Sequence, residues 1–208
     1  TANEWVEYEL PAPTELPEKV IKFNKIIRER YKLRELKFTK TSEIIPYVDE
    51  MFDLLDKTYS ELDTYVPIAD YQIEYYKKKY IPFINPYFVN CIVDEDGKMV
   101  SFAITMPSYS KAMQKAKGKI FPFGWWHLMR ASKNNDSAQF YLIGIDPKFQ
   151  GKGVTALIFN AMFDTFRNNG IKFLETNPEL ADNESIQVLW KAYDPVNHKR
   201  RKTFKKSI

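Results

Sequence analysis

A mixed α/β (α+β) fold, a central sheet with helices on both faces, is predicted by three observations. The apolar periodicity switches along the chain in the order β-α-α-β-β, an insert, then β-α-β-α-β. Asp94-Glu95-Asp96-Gly97 separates two apolar runs as a hairpin turn does. A strand-helix-strand unit follows that meander, and such a unit requires a crossover connection.

The elements follow in order. Trp5 to Leu10 alternates like a strand, and Pro11-Ala12-Pro13 with Pro17 reads as a link. A helix is expected from about Pro17 to Tyr31, with Pro17 in its first turn. Residues 1–33 are therefore expected to be an N-terminal arm outside the sheet, and 34–208 the regular domain. The chain opens at Thr1 on this strand and link, so an upstream domain in a longer protein is expected. Glu35 to Thr39 reads as a strand. Thr41 or Ser42 caps a helix carrying Ile44, Val48, Met51, Phe52, Leu55, Tyr59 and Leu62 on its stripe. Asp70 to Tyr80 is a second helix, and Tyr87–Val93 and Lys98–Met106 are the hairpin strands. A helix from Ser110 to Lys117 leads into an aromatic insert, Phe121 to Met129, then a strand from Gln139 to Ile145. Val154 to Arg167 is helical, with Val154, Leu157, Ile158, Ala161 and Met162 in one stripe and Gly170 as its C-terminal cap. Lys172–Glu175 is a strand, Asn183–Ala192 a last helix, and about Lys202–Lys206 a final strand.

Composition narrows the function classes. With 208 residues and 44% hydrophobic side chains, one large domain can bury a sizeable core. A net charge of +4 is small for this length and does not by itself argue for a nucleic-acid partner. The basic run His198-Lys199-Arg200-Arg201-Lys202 reads as a solvated end. Cys91 is the one cysteine, so no intrachain disulfide forms, which favours a reducing compartment and a cytoplasmic location. No stretch is apolar and long enough to span a membrane. Only two histidines are present, so no metal site is expected. The insert Phe121-Pro122-Phe123-Gly124-Trp125-Trp126-His127 could hold an acyl chain or a flat acceptor, or pack into the core.

The informative stretch is Tyr141 to Val154. It runs strand, turn, glycine loop, helix, and it holds Gly144, Gly151 and Gly153 out of seven glycines in the chain. A loop opening a helix presents unpaired backbone N–H groups, and the helix dipole adds positive character. Phosphate binds there readily. Gly151 and Gly153 permit close approach, and Lys148 and Lys152 add charge. The pattern lacks the Walker lysine followed by Ser or Thr, and it lacks the dinucleotide fingerprint. It reads as a pyrophosphate cradle of another kind, or as an ordinary glycine-containing turn.

Ile145 to Val154 resembles the acetyl-CoA loop of the GNAT superfamily of N-acyltransferases. The family signature is Gln or Arg, two residues, Gly, one residue, then Gly or Ala. Gln150, Gly153 and Thr155 take those positions, Thr155 departing from the small residue expected. The element order from about Arg34 onward is also similar to that family, which implies a mostly antiparallel sheet. The resemblance implies acetyl-CoA or another acyl-CoA as co-substrate and no metal. It implies a small-molecule or peptide amine as acceptor. The cofactor residues it implies are Ile143 and Ile145, through backbone pairing with the pantetheine arm, then Gln150, Gly151, Lys152, Gly153, Val154, Thr155 and Asn183. Gly144 is the candidate for the bulge this strand carries in the family. In the family a Tyr two turns after the helix-opening Asn protonates the departing thiolate. Here Trp190 stands at that place, and its indole has no useful proton to give. Tyr193 follows one turn later and is the expected acid. Glu175, at the end of its strand, is the expected base acting through water. The reaction implied is acyl transfer to an amine. The alternatives are a non-catalytic module that binds acyl-CoA or a partner, and transfer from a carrier or aminoacyl-tRNA.

Overall fold

The computed structural model describes residues 2–16, 18–60, 65–183, 187 and 193–206. Its strands are β1 (Asn3–Pro11), β2 (Arg34–Lys37), β3 (Val89–Val93), β4 (Met99–Pro107), β5 (Ser137–Ile145), β6 (Phe173–Glu175), β7 (Glu179–Leu180) and β8 (Val196–Thr203). Its helices are α1 (Glu18–Tyr31), α2 (Val48–Tyr59), α3 (Asp70–Tyr80), α4 (Ser110–Lys115), α5 (Gly124–Lys133) and α6 (Val154–Asn168). Among the described residues the strands form an eight-stranded sheet in the order β2-β3-β4-β5-β6-β1-β7, with β8 on β1. The β5–β6 pair is parallel, as a crossover through α6 demands, while β2–β3, β3–β4 and the three pairs made by β1 are antiparallel.

The chain divides into two compact units, one of residues 15–105 and 142–165, the other of residues 1–14, 106–141 and 166–208. In the first, β3 shows why both sheet faces carry helices. Successive strand residues point to opposite faces. Cys91 lies in the core cluster with Val48, Met51 and Leu54 of α2, whereas the side-chain Oδ1 of Asn90 accepts a hydrogen bond from the Thr165 hydroxyl of α6 at 3.4 Å. Burial pushes the Cys91 thiol well above its usual range, so it is an inert core group. The helix expected from Thr41 starts later, at Val48. Two short 3-10 turns, Thr41–Glu43 and Ile45–Tyr47, precede it, and Pro46 in the second supplies no N–H.

In the other unit, the expectation that residues 1–33 form an arm outside the sheet does not hold. β1 is an inner strand. Its residues 9–11 pair with β6, Trp5 and Val6 pair with β7, and its opposite edge pairs with β8 from Asn3 to Glu9. Val6 and Leu10 are only 4% and 1% exposed, so the alternation that suggested a strand is a core-facing pattern. The remainder of that segment, α1, lies in the first unit. The basic run is solvent-exposed, as expected, but it is not a loose end. It is β8, and its cations face the acids of β1: Arg200 to Glu4 at 2.5 Å, Lys202 to Glu4 at 3.2 Å and Arg201 to Glu7 at 2.5 Å. The strand expected at Lys202–Lys206 therefore begins earlier, at Val196. No helix among the described residues is long and apolar enough to cross a membrane.

Candidate functional site

The glycine loop lies wholly in the first unit, between β5 and α6. Asp146 starts it, its carboxylate accepting the Lys148 N–H at 2.8 Å and its own N–H donating to the Val100 carbonyl at 2.9 Å. Residues 147–149 make one 3-10 turn. Gly151 and Gly153 both take positive φ, +69° and +85°, where a side chain is strained. α6 then begins at Val154, which is fully buried and pins the helix start in the core. The backbone N–H groups of Gly151 and Gly153 meet no protein acceptor among the described residues, and the first turn of α6 adds more such groups. A Cβ at Gly151 would meet nothing within 4 Å, so the backbone there is open to a ligand. Exposed Lys152 has no carboxylate partner among the described residues, and its ammonium lies 5.9 and 5.7 Å from the rings of Tyr31 and Phe149.

Gly153 has a second duty that the sequence did not reveal. A Cβ there would come within 2.7 Å of Phe23 and 3.1 Å of Ile27, so α1 packs directly under the loop. The Tyr31 and Phe149 rings meet edge-on at 5.8 Å in the same contact. Gly144 shows no positive φ. It makes room for Phe102, whose ring carbon would lie 2.6 Å from an added Cβ.

The carbonyls expected to pair with a pantetheine arm already hold one hydroxyl each. Tyr59 donates to the Ile143 carbonyl at 3.1 Å and Thr58 to that of Ile145 at 3.2 Å. Ser101 donates to the Gly144 carbonyl at 2.9 Å, buried. A carbonyl has two lone pairs, so that of Ile143 accepts one more donor. The Gln150 amide reaches back to the Ile145 carbonyl at 3.4 Å and fastens the loop. Thr155 is half-buried in the first turn of α6. Sequence reasoning missed Thr58, Tyr59 and Ser101. Only α2 and β4 lying beside β5 in space identifies them.

The other sequence-predicted residues belong to the second unit. Glu175 ends β6, mostly buried, and is not a solvated sheet end. It accepts from the Gln139 amide at 2.9 Å, pairs with the Lys199 ammonium, and lies 3.4 Å from His198 Nε2. The Glu7 carboxylate, 5% exposed, shares Lys199 at 3.4 Å. Glu7, Glu175 and His198 thus bring ligand-type atoms within 4.8 Å of one another, and the Lys199 ammonium bridges the two carboxylates. Tyr193 is half-buried, and burial holds its phenol above its ordinary range. Tyr109 and Tyr141 are raised for the same first cause, and the two interact, making them phenols that sequence reasoning did not single out. Asn183 donates its N–H to the Leu180 carbonyl at 2.9 Å, and its own carbonyl accepts from Gln187 at 3.4 Å, the spacing of a helical turn. Trp190 and most of the expected last helix lie outside the described residues. His127 is half-buried on α5, its ring 5.2 Å from that of Trp126.

No family model matches the sequence. Protein YghO of Escherichia coli (strain K12) is 25% identical over 123 residues, a match spanning 56% of this chain and 32% of YghO. Among solved structures, the GCN5-related glucosamine N-acetyltransferase region of a fungal multi-domain GH3 β-N-acetylglucosaminidase superposes with a TM-score of 0.56 at 11% identity, over 96% of this chain and 20% of that one. A GCN5-related N-acetyltransferase from Sphaerobacter thermophilus superposes with a TM-score of 0.55 at 11% identity, over 96% of this chain and 50% of that one. At such identities the likeness is one of fold, and in fold the chain is a GNAT-like domain, a mixed and mostly antiparallel sheet with helices on both faces.

Proposed function

We propose that the chain is an acyl-CoA-dependent N-acyltransferase, with acetyl-CoA as donor and a small-molecule or peptide amine as acceptor, working in the cytoplasm. The observation that carries the reading is the loop at Gly151 and Gly153. It combines positive φ, open space above Gly151, unspent N–H groups and an unpaired lysine at a helix start. Those features suit a pyrophosphate. The bound thioester supplies the activated acyl carbon. Ile143 offers the second lone pair of its carbonyl to a pantetheine amide, Ile145 does so by exchanging its Gln150 contact for the ligand, and Gln150, Lys152, Val154 and Thr155 frame the phosphates.

Transfer forms a C–N bond and breaks a C–S bond, so the amine must lose a proton and the thiolate must gain one. Glu175 is assigned the first task through water and Tyr193 the second. A half-buried phenol with a raised pKa keeps its proton at neutral pH, as an acid must. Asn183 is assigned to the cofactor site with the loop residues. One observation favours a second reading, a non-catalytic acyl-CoA-binding module: Glu175 is already neutralised by Lys199.

Free-thiol release from acetyl-CoA over a panel of amines, beside acetyl-CoA binding, separates the two. Release with saturable binding is expected. Tyr193→Phe is expected to lower turnover about tenfold to a thousandfold at unchanged affinity. Binding without release on any amine selects the module, and no binding removes both readings.

A further inference from the structure

The segment from Ser110 to Lys133 stands apart from the rest of the surface. It carries six basic residues, Lys111, Lys115, Lys117, Lys119, Arg130 and Lys133, and no acidic one. It folds as α4, a tight tip and α5. On that tip and on the outer side of α5, Ile120, Phe121, Phe123, Trp125, Trp126 and Met129 are all exposed, Phe121 by 79% and Phe123 by 71%. Single exposed apolar side chains are ordinary, but six within ten residues form a patch that needs a partner. The tip is a built platform. Gly124 lies so close under the chain that a Cβ would come 1.8 Å from the Lys119 carbonyl oxygen. The Trp125 N–H donates to the Ile120 carbonyl at 3.0 Å, and its indole donates to that of Pro122 at 2.9 Å. The Arg130 guanidinium sits 5.7 Å from the Trp126 ring, so charge and aromatic surface are interleaved. Lys111, Lys115, Arg130 and Lys133 also line a cavity of about 440 Å³ in the same unit, beside Asp136.

We propose that this hairpin docks on a membrane surface rich in anionic lipid. Charge complementarity selects the occupant. A second copy would bring the same six positive charges to the contact and be repelled. An anionic leaflet offers what the segment lacks, negative headgroups over an apolar layer. Tryptophan and phenylalanine insert at the headgroup boundary while lysine and arginine stay among the phosphates. The basic cavity then receives a headgroup phosphate. The proposal does not depend on acyl-CoA binding.

Co-sedimentation of the full chain with vesicles, without acyl-CoA, tests it. Phosphatidylcholine vesicles are compared with vesicles of phosphatidylcholine and phosphatidylglycerol in equal parts. Partition onto the anionic vesicles is expected to exceed that onto the neutral ones by about tenfold or more, and to fall as salt is added. The triple variant Phe121→Ser, Phe123→Ser, Trp125→Ser is expected to lose about tenfold or more of that partition, and Lys115→Glu with Lys119→Glu and Lys133→Glu to lose it altogether. All six side chains are exposed, so the fold is expected to persist by circular dichroism. Phe83→Ser, an equally exposed aromatic in the other unit, is the control and is expected to bind as the parent does. A parent that ignores vesicles, or that binds neutral and anionic vesicles alike, overturns the proposal. So do tip variants that bind as the parent does, or a parent that binds an acidic protein at this face while ignoring vesicles.

Discussion

The glycine loop and the β1–β8 edge satisfy their polar groups in opposite ways. Around the glycine loop the acceptors are backbone carbonyls and the donors are neutral hydroxyls: Ser101 on Gly144, Tyr59 on Ile143, Thr58 on Ile145. At the β1–β8 edge the acceptors are carboxylates, Glu4, Glu7 and Glu175, and the donors are Lys199, Arg200, Arg201 and Lys202. The difference teaches where each of these regions is vulnerable. Dipoles and hydroxyls do not titrate near neutral pH and are little screened by salt, so the loop depends on packing. Ion pairs depend on pH and on salt.

The largest effect should therefore come from packing. Phe102 is fully buried in the core cluster and fills the space that Gly144 leaves. Phe102→Ala is expected to cost about 3–5 kcal/mol in urea unfolding. A loss below about 1 kcal/mol would mean that the loop unit does not rest on this contact. Next come the two loop glycines. Gly153→Ala adds a clash with Phe23 and Ile27 to a disfavoured φ and is expected to cost about 2–4 kcal/mol, while Gly151→Ala meets only the disfavoured φ and is expected to cost about 1 kcal/mol. Equal losses would remove α1 as the support of the loop.

The smallest effect is expected at the ionic edge. Lys202 and Arg200 hold the Glu4 carboxyl below its ordinary value of 4.5, the Lys202 hydrogen bond contributing most. A carboxylate with a lowered folded pKa stabilises the fold above its unfolded pKa, and that share is lost as pH falls through the folded value. Hydrogen exchange of the β8 amides is thus expected to speed up from pH 5 to pH 3 relative to the β3 amides, after correction for intrinsic rates. High salt is expected to act in the same direction. Unchanged relative protection would deny the ion pairs any part in holding β8.

What was legible in the sequence follows from how far apart the interacting residues lie. The loop and α6 could be read because Asp146, Gly151, Gly153 and the Val154 stripe act over a few residues of chain. The hairpin across Asp94–Gly97 is local in the same sense. β1 was misplaced because its partner β8 lies nearly the whole chain away, so the alternation of Trp5 to Leu10 gave a strand without a neighbour. The same distance hid the acids that turn the closing basic run into a strand. Phe23 and Ile27 fall inside the helix expected from Pro17 to Tyr31, and only the fold puts them under Gly153. Glu175 was placed correctly at a strand end, but Lys199 beside it was invisible in one dimension.

The central claim is that the loop binds acyl-CoA, and an amide nuclear magnetic resonance titration with acetyl-CoA tests it most directly. The account predicts saturable shifts that are largest at Gly151, Lys152, Gly153, Val154 and Thr155 and smaller at Ile143 and Ile145. Shifts confined to other residues, or none at saturating acetyl-CoA, would contradict it.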